Sequence, residues 1–151
     1  MNDYPGFQAE PLYEYTLSIT RVAEYGVSMA ALLAGQVPPP PAGARFDVHF
    51  EGTIAGPRIR GSVRGVDYLH TRADGRMQLH IHAEIVTDDG CAIALVADGV
   101  ATGGPPVLEL RENVTLWSAH PEYAWVNTIQ VWAPGAVDLA QGVIRVRGFG
   151  A

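Results

Sequence analysis

Apolar and polar residues alternate with a period of two along most of this chain, in short runs rich in Val, Ile, Thr and aromatics. That period places successive side chains on opposite faces of extended strands. Runs of this kind cover residues 12–19, 45–51, 58–72, 77–87, 91–97, 107–119, 124–133 and 143–148. Between successive runs stand Asp74-Gly75, Asp89-Gly90 and Asp98-Gly99, and Asp-Gly is the dipeptide that best tolerates the positive φ of tight hairpins. The middle of the chain is therefore predicted to be an antiparallel meander. Residues 21–35 are the one segment that could hold helix, but Gly26 interrupts it and the prolines Pro38 to Pro41 end it. We read it as a loop with a helical turn at most. About eight strands without a long helix leave a closed barrel or a two-layer sandwich, and meander connections favour the barrel. The expected fold is all-β, a single antiparallel β-barrel forming one domain over residues 1–151.

Composition narrows the partners. A chain of 151 residues with 48% hydrophobic content can bury one sizeable core. Its net charge of −6 and the lack of a Lys/Arg cluster argue against nucleic acid and anionic membrane surfaces, which require a basic footprint. A neutral or cationic small molecule remains open as a partner. Cys91 is the single cysteine, so neither an internal disulfide nor a thiolate metal site is expected, and a reducing compartment is the simplest reading. The opening Met1-Asn2-Asp3-Tyr4-Pro5 lacks a basic region followed by an apolar core, and the weakly polar run 27–34 is too short to span a bilayer. A cytoplasmic location is the expectation.

Three stretches carry candidate chemistry. In residues 77–87 one face holds Met77, Leu79, Ile81, Ala83 and Ile85, and the other Gln78, His80, His82, Glu84 and Val86. The polar face has three readings: a His-x-His metal pair, a solvated ladder, or a catalytic wall in which an imidazole acts as acid or base near neutral pH. The His-x-His element resembles that of cupins, but Glu84 follows too closely and no second cupin motif appears near His120. In residues 120–132, a strand would place Tyr123, Trp125 and Asn127 on one face, either as a pocket wall or as core. In "RIRGSVRGVDYLHTRADG", Asp67 and Tyr68 follow Gly65, and Arg58, Arg60 and Arg64 alternate along what reads as a solvated side. Asp88 and Asp89 read as turn formers.

The order "EPLYEYTLSI", "FEGTIAGPRIRGSVRGVDYLHTRADGRMQLHIHAEIVTDDG", "HPEYAWVNTIQVW" resembles the DUF3237 family over nearly the whole chain. The resemblance implies a β-barrel similar to allene oxide cyclase and dirigent proteins, with an apolar lumen for a small organic ligand and no settled reaction. Asp67, the Asp88-Asp89-Gly90 turn, Tyr123, Trp125 and Asn127 match its motifs, while Tyr68 stands where tryptophan is usual. His80 and His82 replace an aspartate and an arginine, and residues 91–99 lack an expected Tyr and Asn.

On this basis we expect a cofactor-independent enzyme of isomerase, cyclase, lyase or hydratase type, acting on a small hydrophobic molecule such as a phenolic or cyclic one. His80 and His82 would shuttle a proton that Asp67 orients. Tyr68, Tyr123 and Asn127 would hydrogen-bond an oxygen gaining charge, and Glu84 and Trp125 would line the substrate. No flavin or nicotinamide fingerprint is present, so redox chemistry is not expected. Two alternatives remain: a non-catalytic ligand-binding barrel or homo-oligomeric scaffold, and a His-x-His metal enzyme. The side to which the His80 face points separates them.

Overall fold

The computed structural model describes residues 8–151, and the opening residues considered above for a targeting signal lie outside them. Eight strands follow one another around a closed antiparallel barrel: β1 (Glu10–Glu24), β2 (Ala44–Ala55), β3 (Arg60–Thr71), β4 (Met77–Thr87), β5 (Ala92–Gly104), β6 (Val107–Trp117), β7 (Val131–Asp138) and β8 (Val143–Gly150). Each strand pairs with its neighbours in sequence, and β8 closes on β1. The all-β barrel expected from the alternation is the fold observed. Among the described residues no helix is long and apolar enough to cross a membrane.

Two short helices interrupt the meander. Helix α1 (Met29–Leu33) is the single turn expected between β1 and β2, and the Ser28 side chain caps it by accepting from the Ala31 N–H at 3.2 Å. A 3₁₀ helix, Pro121–Thr128, stands where a strand was expected over residues 124–133. Pro121 at its first turn has the fixed φ of a helix start, and the Asn127 side chain both accepts from the Ser118 N–H and donates to the Ser118 carbonyl, each at 2.8 Å. These contacts coil the segment, so Tyr123, Trp125 and Asn127 do not share a strand face. Strand β7 starts later and runs through Pro134, where the register to β8 lapses between Trp132 and Gly135 and no donor is required.

Asp98-Gly99 also departs from expectation. Gly75 and Gly90 sit in hairpin turns at φ of 90° and 87°, as Asp-Gly predicts. Gly99 instead lies inside β5, at φ 149°, where an added Cβ would stand 1.9 Å from the Arg111 carbonyl oxygen. The glycine is there for close approach of β5 to β6, and the chain turns only after Gly104.

The interior fills unevenly along the barrel axis. Toward the β4–β5 turn, Ile85, Ile93, Leu116 and Val131 pack with Val126 of the 3₁₀ helix into a closed floor of almost fully buried aliphatic side chains. Above that floor, Tyr13 and Tyr15 stack with ring centroids 5.8 Å apart. Gly148, paired with Tyr13 across β1 and β8, is what admits the Tyr13 ring: a Cβ there would lie 2.4 Å from Cζ. Gly148→Ala is expected to destabilise the fold by about 1–3 kcal/mol through overpacking, read as a lower urea midpoint at unchanged slope. Tyr13→Phe, which removes a buried hydroxyl with no partner among the described residues, should be neutral or stabilising in the same titration.

Candidate functional site

The upper half of the lumen is a cavity lined by Leu17, Leu69, Leu79, Ile81, Leu110 and Ile144, with Met29 of α1 and Leu139 at its rim. The space open to the centre of a water molecule is ≈ 50 Å³. By the same measure one water needs roughly 10 to 15 Å³. Three polar side chains face this apolar space: Tyr15 from β1, Asp67 from β3 and Glu112 from β6. Asp67 and Glu112 are 9% and 4% exposed, so each carboxyl is desolvated by the barrel itself.

Local structure explains how each carboxyl is held. Strands β3 and β4 pair in one register, but the ladder lapses between the Asp67–Ile81 and His70–Gln78 pairs. The His80 N–H in that gap donates to Asp67 Oδ1 at 3.0 Å. The carboxylate thus fills an opening in the wall that a backbone carbonyl would otherwise close. Glu112 Oε1 accepts from the Tyr15 hydroxyl at 3.0 Å.

Burial raises the Asp67 pKa to about 6, with the His80 N–H pulling the other way. Burial also pushes Glu112 up to about 7; the Tyr15 hydroxyl opposes that rise and the charge on Asp67 adds to it. Burial, followed by the neighbouring Glu112, moves the Tyr15 phenol well above its ordinary range, so it remains a donor. Between the two values the pair therefore holds about one proton, mostly on Glu112, while Asp67 ionises at lower pH.

The side chains singled out by sequence distribute differently. Asp67 reaches the lumen. His80, His82 and Glu84 stand on the exterior, where their imidazole and carboxyl groups cannot reach the cavity; the expected lumen shuttle by the two histidines is corrected accordingly. The reason lies in strand phase: Met77, Leu79, Ile81 and Ile85 occupy the inward positions of β4. Outside, His80 and His82 bring their Nε2 atoms to 3.3 Å, Tyr68 packs against both rings, and Arg45 lies 5.4 Å above the Tyr68 ring. Glu84 forms an exposed ion pair with Arg64 at 3.7 Å. Tyr68 and the histidines therefore make an outer aromatic patch whose link to the site is the His80 backbone N–H.

Tyr123, Trp125 and Asn127 lie on the 3₁₀ helix that closes the floor, Tyr123 buried, Trp125 half-buried and Asn127 exposed. The Tyr123 hydroxyl donates to Asp89 Oδ1 at 2.9 Å, and Arg58 stacks 3.8 Å above the Trp125 ring. Asp89 is more than a turn former, since it joins the hairpin to the 3₁₀ helix. Glu112 and Tyr15 are lumen residues that sequence reasoning passed over. The signal for Glu112 was present: in Val107–Trp117 it occupies the inward phase with Leu108, Leu110, Val114 and Leu116, a charge in an otherwise apolar row. Tyr15 gives no comparable signal, because a tyrosine in an apolar row reads as core.

The raised carboxyl pKa values carry a stability consequence. Ordinary values are 3.8 for Asp67 and 4.5 for Glu112, so between these and about 6 and 7 the folded state binds more protons than the unfolded chain. Stability contributed by the protonated carboxyls is present at low pH and is lost as pH rises through the folded values. Asp67→Asn, which keeps an acceptor for the His80 N–H, should match the parent near pH 4 and exceed it by roughly 2–3 kcal/mol near pH 8. Urea titrations at the two pH values measure the difference.

Comparisons with known proteins agree with this geometry at the level of fold. A β-barrel-like protein from Acinetobacter baumannii aligns with a TM-score of 0.76 at 20% identity, covering 99% of each chain. A protein of unknown function from Clostridium acetobutylicum aligns at 0.80 and 18% identity, covering 98% of this chain and 99% of its own. An enzyme from Penicillium herquei aligns at 0.64 and 21% identity, covering 99% of each chain. No curated protein matches the sequence. The family model described as "Protein of unknown function (DUF3237)" matches residues 34–146, and the chain belongs to that family.

Proposed function

We propose that the barrel is a cofactor-independent acid/base enzyme whose substrate is a small hydrophobic molecule, such as a phenolic or cyclic one, bound in the lumen beside Asp67 and Glu112. The observation that carries this reading is the pair of buried carboxyls of unequal proton affinity facing one apolar cavity. Protonated Glu112 is placed to give a proton to a substrate oxygen or carbon, and ionised Asp67 to take one, which is what isomerisation, cyclisation, elimination or hydration requires. The Tyr15 hydroxyl holds Glu112 in place and supplies a dipole at the same end of the cavity. An apolar wall strengthens each of these interactions relative to water. That a protein of the same fold from Penicillium herquei is an enzyme supports the reading. A binding barrel without turnover is the second reading, favoured by the outward-facing His80 and His82.

Turnover across a library of small phenols distinguishes the two. Catalysis by the pair should give a bell-shaped pH profile, rising near the Asp67 value of about 6 and falling near the Glu112 value of about 7. Asp67→Asn and Glu112→Gln should each lower kcat by roughly 100-fold or more, while His82→Ala leaves it unchanged. Unaltered turnover in both carboxamide variants would sink the assignment. Saturable binding without product would favour the binding barrel.

A further inference from the structure

A second grouping of reactive side chains lies outside the lumen, where the β4–β5 hairpin meets the 3₁₀ helix. There the Sγ of Cys91, a ring nitrogen of His120 and a carboxylate oxygen of Glu122 all lie within 4.8 Å of one another. We propose that these three residues bind one zinc-like divalent transition-metal ion that fastens the hairpin to the 3₁₀ helix across the barrel floor.

The donors come from two segments that hydrogen bonds already hold together. Cys91 N–H donates to Thr87 Oγ1 at 2.9 Å, and the Thr87 N–H returns to the Cys91 carbonyl at 2.8 Å. On the other side, Ser118 Oγ donates to the Ala92 carbonyl at 2.8 Å and accepts from the His120 N–H at 3.2 Å. The Tyr123 N–H donates to the His120 carbonyl at 3.0 Å, starting the helix that carries Glu122. The backbones bearing the ligands are therefore positioned before any ion arrives, and the side chains need only small rotations: donors around tetrahedral zinc stand roughly 3.3–3.6 Å apart.

Donor chemistry selects the ion. One thiolate, one imidazole and one carboxylate form a mixed S, N, O set suited to a borderline-soft cation and poorly suited to magnesium or calcium. Their two negative charges would balance a divalent ion. Cys91 is buried, His120 half-buried and Glu122 exposed, so the fourth position opens toward solvent on the Glu122 side and would take a water. A lone cysteine in the sequence pointed away from thiolate metal binding; the fold supplies the other two donors from about thirty residues further along the chain.

Cobalt(II), titrated into untagged, chelator-treated protein, is the probe, because a cobalt–thiolate bond gives a charge-transfer band that imidazole and carboxylate ligands do not. The expected result is a band saturating at one equivalent and bleached by zinc. It should be absent in Cys91→Ser, and Glu122→Gln, at an exposed position, should weaken binding by at least roughly tenfold. Zinc should also slow alkylation of the parent Cys91 thiol. No saturable band, or the same affinity in Glu122→Gln as in the parent, would overturn the proposal, as would zinc leaving the alkylation rate unchanged.

Discussion

Closing the sheet on itself imposes one constraint from which the rest follows: every second residue of eight strands must enter a shared, narrow interior. A closed barrel has no free edge on which to place an awkward side chain, and its apolar interior solvates one poorly. Apolar residues satisfy this without further provision. A carboxyl placed in the same row must find a donor inside, keep a proton, or both. Asp67 and Glu112 do both, through the His80 N–H and the Tyr15 hydroxyl and through raised proton affinity. The energetic burden that these residues place on the fold is also what gives them chemistry near neutral pH.

Much of the barrel was legible because alternation is a local property. Strands β1 to β6 and β8 were all recognised from their own sequence, and Gly75 and Gly90 turned where Asp-Gly said they would. The misreadings came where a tertiary contact decided the outcome. Gly99 stays within β5, where β6 passes too close for a side chain, and nothing in the neighbouring sequence distinguishes it from a hairpin glycine. The 3₁₀ helix forms because Asn127 clips back to Ser118, a bond between residues that the alternating pattern assigned to separate strands.

The candidate site was half legible for a related reason. Strand phase determines which face is inside, and an isolated run shows only two faces, not which one the barrel encloses. For β4 the apolar row is the inner one, so the conspicuous histidines lie outside. For β3 and β6 the inner rows each contain a carboxyl: Asp67 stands out by its place in a family motif, whereas a search for clustered polar residues overlooks Glu112 because its neighbours in phase are aliphatic. A single charge in an apolar row was the more informative pattern than a row of polar residues.

The hydrogen bond from the His80 amide to Asp67 joins the two sides of the barrel wall, since His80 presents its ring to solvent while its backbone answers to the lumen. That amide loses a charged acceptor whenever Asp67 takes up a proton, at a place where the β3–β4 ladder offers no substitute. Its protection against hydrogen exchange, taken relative to the intrinsic rate at the same pH, therefore falls as the cavity becomes neutral. The outer wall of the barrel carries a local record of the charge within, readable without opening the fold.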